Sequence, residues 1–160
     1  MNIAGLPAHP LLVHLAVIFV PMSAVAFALV MWRTSWRRQY GWLIVAAAVI
    51  GAVGAFLAAQ SGESLEHALR QTTGTRVQLG DHPDQGDTAE IFAMLFAVVA
   101  AAAWTIEQYG AQWGLPAWAF RVAYVLGVCV AIGAIVTIVI AGDSGARLVW
   151  QQLGTFVKPR

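Results

Sequence analysis

Apolar residues along this chain gather into four long blocks separated by short polar stretches. Residues 11–31, 41–62, 91–106 and 122–142 contain no Asp, Glu, Lys or Arg. A helix rises about 1.5 Å per residue, so about 20 residues cross the roughly 30 Å hydrocarbon layer of a bilayer. Three blocks are 21 or 22 residues long; the third has 16 and needs Thr88 and Ala89 before it, or Gln108 and Tyr109 after it, to span. The pattern predicts a single all-α domain over 1–160, a four-helix transmembrane bundle with spans near 10–32, 41–62, 88–108 and 119–142.

The connections are uneven. Residues 61–88 predict a long outer loop. Within it, 63–70 predict a short amphipathic helix with Leu65 and Leu69 four apart, and Gly74 and Gly80 punctuate the remainder. Asp81-His82-Pro83 predicts the start of the third helix, a capping residue followed by an early proline. The tail, 143–160, carries Leu148, Val149, Trp150, Leu153, Phe156 and Val157 and predicts an interfacial, amphipathic segment. Pro21 removes a backbone donor in mid-span and predicts a kink. Gly51 and Gly54, with Gly127 and Gly133 in the fourth block, predict close packing of helices within one bundle rather than a dimer motif.

Composition strengthens the membrane reading: 59% of the residues are hydrophobic and 11% are charged, against about 25% charged in soluble domains. The net charge of +1 and the absence of any basic stripe exclude nucleic acid as a partner. The single cysteine, Cys129, forms no internal disulfide and is expected to be a small packing residue. No Lys or Arg precedes Arg33, so the first block is expected to be a retained span and not a secretory signal.

Charge also orients the bundle. Arg33, Arg37 and Arg38 crowd the first loop, flanked by Trp32, Trp36, Tyr40 and Trp42, which predicts an inside loop with an aromatic belt. Both termini then lie outside. Total basic counts are 5 outside and 4 inside, so the dense first loop carries the assignment. Of the acids only Glu107 falls inside, and all four histidines, His9, His14, His67 and His82, fall outside.

That gathering of ligand-type side chains defines the candidate chemistry. His14 lies one turn inside the first block, where a histidine needs a partner. His9, before Pro10, is expected to cap the first helix. At ~100° per residue the two are about 140° apart and do not share a face. His82, Gly86 and Glu90 do share one; Gly86 leaves room there for a flat group or for close helix packing. Glu63 and His67, four apart, match a two-ligand spacing.

Three readings follow. A b-type haem would use His14 and His82 as axial ligands, although His82 stands nine residues, about 13 Å, before Ile91. A bare zinc, copper or iron ion would be held by His14, His82, Glu63 and Asp87, with His9, His67 and Glu90 on the same membrane face. The third reading is an accessory subunit packed beside a respiratory or transport complex, without cofactor, its histidines and acids interfacial or relaying protons. Besides lipid, the candidate partners are a respiratory or other redox protein and a second copy of the chain. No G-x-S-x-G, HExxH or phosphate-cradling glycine loop occurs, which argues against hydrolysis.

His9-Pro10-Leu11-Leu12-Val13-His14 resembles the HP-x-x-VH opening of a family of bacterial four-span membrane proteins of unknown function. Gln60-Ser61-Gly62-Glu63, His82-x-x-x-Gly86 and Gly145-Ala146-Arg147-Leu148-Val149-Trp150 resemble further stretches of it, so the likeness covers the whole chain. Similar segments are fused to Rieske or cytochrome c-type domains. The resemblance implies the bacterial cytoplasmic membrane and a respiratory setting, and carries no activity of its own.

Overall fold

The computed structural model describes residues 2–3, 6–73 and 79–152. A two-residue antiparallel pair, β1 (Asn2–Ile3) and β2 (Leu6–Pro7), precedes four helices: α1 (Ala8–Val30), α2 (Thr34–Thr73), α3 (His82–Tyr109) and α4 (Trp118–Gln152). All four helices are long and apolar enough to cross a membrane, and only 28–39% of each apolar window is buried inside the molecule. Ile18, Leu29, Val98 and Val139 face outward. Helices satisfy their own backbone groups, so such apolar faces can meet lipid directly. The fold is the expected all-helical transmembrane bundle.

The helices stand in a square. α1 packs on α2 and α4, α3 packs on the same two, and α1 and α3 face each other across the diagonal. The core is built largely from alanines, among them Ala48, Ala93, Ala100, Ala103 and Ala134, around Phe27, Phe96, Met31 and Val20. Small side chains let backbones approach, which supplies the dispersion contact that holds helices together in lipid. Gly127 admits the Phe27 ring and Gly133 the Phe92 ring: a Cβ at either would lie 2.4 Å from the aromatic carbons. Phe27 meets Phe96 edge-on at 5.7 Å across the diagonal, and the Tyr124 hydroxyl donates to the Ala28 carbonyl.

Several boundaries differ from the expected ones. α2 runs unbroken to Thr73, so residues 63–70 are its last turns and not a separate helix. No proline interrupts that stretch. The connection to α3 therefore shrinks to residues 74–81; Gly74 falls outside the described residues. Gly80 adopts φ +54°, the left-handed conformation glycine takes without strain, and α3 begins at His82 with a proline in its first turn, as the sequence predicts; Asp81 holds the N-cap position but its side chain makes no capping hydrogen bond.

At the other end, α4 continues to Gln152 as one helix rather than turning into the interface. Asp143 and Arg147 pair at 2.7 Å with the acid four residues ahead of the base, which favours helix. Residues 153–160 lie outside the described part. Pro21 lies inside α1, where the Ser23 hydroxyl donates to the Phe19 carbonyl at 2.6 Å. Cys129 faces outward rather than packing inside.

Candidate functional site

The end of the bundle opposite the arginine-rich first loop brings two imidazoles together. His9 stands in the first turn of α1 and His82 in the first turn of α3; both are half-buried. Their ring centroids lie 6.5 Å apart, edge to face at 83°. Phe27 and Phe96 cross the same diagonal deeper in the bundle.

Each ring is held by a different neighbour. His9 Nδ1 lies 2.8 Å from the Ala58 carbonyl of α2. A carbonyl only accepts, so Nδ1 carries the proton and Nε2 keeps its lone pair. The Ser61 hydroxyl donates to the same carbonyl at 2.9 Å. His82 Nδ1 lies 2.9 Å from Ser144 Oγ. The Ser144 hydroxyl spends its one hydrogen on the Ala141 carbonyl, at 3.0 Å. It therefore accepts from His82, whose Nε2 is likewise left basic. Two glycines give the rings their room. A Cβ on Gly62 would lie 3.2 Å from His9 Cε1 and Nδ1; one on Gly145 would lie 2.8 Å from His82 Cε1.

The structure thus redistributes the expected roles. His9 does not cap α1, which starts one residue earlier, at Ala8; it reaches across to α2 instead. His14, expected as the partner of His82, is exposed, and its Nδ1 donates to the Pro10 carbonyl one turn back on its own helix. The ring beside His82 is that of His9. Among the described residues no three His, Cys, Asp or Glu side chains converge on one point, so the expected set of His14, His82, Glu63 and Asp87 is not gathered.

Glu63 and His67 are exposed on the last turns of α2. Asp87 and Glu63 stand near enough to Glu90 for their charges to act on it. Gly86 has nothing within 4 Å of its Cβ position, so it does not serve close helix packing.

Sequence reasoning missed Ser61, Gly62, Ser144 and Gly145 as site residues. A signal for three of them was present. Ser61 and Gly62 lie in one family-like stretch and Gly145 opens another. With the HP-x-x-VH opening and His82, the four stretches that carry the resemblance converge at one end of the bundle.

No curated protein and no solved structure matches the chain. The family model described as "Predicted membrane protein (DUF2231)" matches residues 5–157, and with nearly the whole chain inside that match the protein belongs to this family.

Proposed function

We propose that His9 and His82 bind a transition-metal centre at the outer end of the bundle. One observation carries this reading. Two imidazoles from diagonal helices meet, each with Nδ1–H donated to an oxygen and Nε2 left as a lone pair. Metal-ligating histidines carry such an outer hydrogen bond, which fixes the tautomer and raises ligand basicity. An ion about 2 Å from each Nε2 suits rings at this separation once one imidazole turns from its edge-on pose, with water completing the shell. Imidazole ligands suit zinc, copper or iron.

A single ion is favoured over b-type haem. The rings pack edge to face with Gly62 and Gly145 beside them, and a single ion asks for less room there than a macrocycle. The arginine-rich loop supports a cytoplasmic position for the opposite end, with the site on the periplasmic side and both termini outside. The resemblance to segments fused to Rieske and cytochrome c-type domains supports a setting in the bacterial cytoplasmic membrane beside redox partners.

Elemental analysis and absorption spectra of gently purified protein, before and after incubation with zinc or copper salts, test this. About one ion per chain is expected, lost in His9→Ala and in His82→Ala and kept in His14→Ala and His67→Ala. A Soret band lost in the same two variants would identify haem instead. Absence of metal and of a Soret band, with a partner complex co-purifying, would replace this reading with that of an accessory subunit.

A further inference from the structure

At the opposite end of the bundle lies a cavity of about 680 Å³ that the histidine site does not explain. Arg37, Arg38 and Arg121 line it, together with Glu107, Phe120 and Trp32. Three guanidiniums against one carboxylate leave two positive charges uncompensated. Glu107 is occupied: it contacts Arg37 at 2.7 Å and Arg38 at 2.9 Å, and its side chain is 6% exposed. Among the described residues no carboxylate pairs with Arg121.

The amino ends of α2 and α4 open onto this cavity, and neither has an acid in its first turn. The carboxyl ends of α1 and α3 open onto it too. The helix fields largely cancel, and the guanidiniums decide the sign. The level of the cavity is set by its surroundings. Trp32, Trp36, Trp42, Trp113 and Trp118 are all exposed around the same end, the ring of aromatics that marks the headgroup layer of a bilayer. The lining is itself amphipathic, with Phe120 under the Arg37 guanidinium at 4.0 Å.

We propose that this cavity holds the phosphate of an anionic phospholipid headgroup, with Arg121 and the exposed side of Arg38 as its cationic contacts. A bare anion would use only the charge. A lipid uses the charge, the aromatic belt and the outward apolar faces of α1 and α4 together. Basic pockets between helices at a membrane surface recognise phosphate headgroups in this way.

Native mass spectrometry of the delipidated full-length protein in micelles doped with phosphatidylglycerol, phosphatidylcholine or inorganic phosphate tests the assignment. One phosphatidylglycerol per chain is expected to be retained, and phosphatidylcholine less. Inorganic phosphate at millimolar concentration is expected not to displace it. Arg121→Gln, which breaks no ion pair, is expected to lower retention about fivefold. Arg147→Gln, a charge removed at the far end, is expected to leave it unchanged. Equal retention of the two lipids, or unchanged retention in Arg121→Gln, would overturn the proposal; displacement by inorganic phosphate would do so as well, by revealing a soluble-anion site. Far-UV circular dichroism of each variant confirms that the bundle is folded in the comparison.

Discussion

Alanine at both Gly51 and Gly54 is expected to lower the stability of the bundle by about 2–6 kcal/mol, the sum of two overpacked positions. A Cβ on Gly51 would sit 2.8 Å from Val20 Cγ2 and 2.9 Å from the Val20 backbone nitrogen. One on Gly54 would sit 2.6 Å from Leu15 Cβ and 3.1 Å from the Ala16 nitrogen. Two of these four neighbours are backbone, which has no rotamer to change. α1 as a whole must move away from α2, and close backbone approach is what association in lipid depends on. The shift would also lift His9 from the Ala58 carbonyl, so metal occupancy is expected to fall together with stability. The check is the midpoint of unfolding in mixed detergent–SDS micelles, followed by circular dichroism. Gly86→Ala and Gly142→Ala serve as controls because their Cβ positions meet nothing within 4 Å. Both are expected to be neutral or to stabilise by up to about 1 kcal/mol through helix propensity. A double variant as stable as the parent chain would show that α1 and α2 do not meet as described.

Glu107→Ala is expected to cost about 3 kcal/mol. The two ion pairs of Glu107 are unequal. Arg38 is 65% exposed, and a pair with so solvated a partner contributes about 0–1 kcal/mol. Arg37 is 18% exposed and faces a carboxylate that is 6% exposed. Removing that carboxylate strands a charge in a poorly solvated place, which costs about 3–5 kcal/mol for a fully buried pair. The low end applies because Arg37 keeps its contact with the Phe120 ring. Arg38→Ala is accordingly expected to change stability by less than about 1 kcal/mol. The double variant Arg37→Met/Glu107→Leu is expected to recover most of the loss, since a buried pair can be exchanged for apolar groups of similar volume. If that double variant is no more stable than Glu107→Ala, the stranded charge is not the cause.

The two ends of the molecule divide its chemistry. One end gathers three arginines, two of them paired with Glu107, within a group of exposed tryptophans. The other gathers histidines and serines where α2 and α4 rise beyond the apolar blocks. Because α1 and α3 are diagonal, a residue at the head of one reaches its counterpart on the other across the bundle axis.

Much of this was legible in the residues themselves. Three uncharged blocks of membrane length and a fourth of 16 residues read as spans, Asp81-His82-Pro83 reads as a helix start, and Gly51 and Gly54 mark a face where another backbone arrives. The partner of His82 was not legible. In a soluble helix the buried face is apolar and the exposed face polar, so periodicity tells which side of α1 turns inward. In lipid both faces are apolar and that signal vanishes, although His9 and His14 stand about 140° apart. The length of α2 was hidden for a related reason: hydropathy ends where the lipid ends, whereas helical hydrogen bonds continue into water until the backbone is broken. The number of crossings was thus settled by composition alone. The rotation of each helix, and with it the choice of His9 over His14, came only from packing against three neighbours.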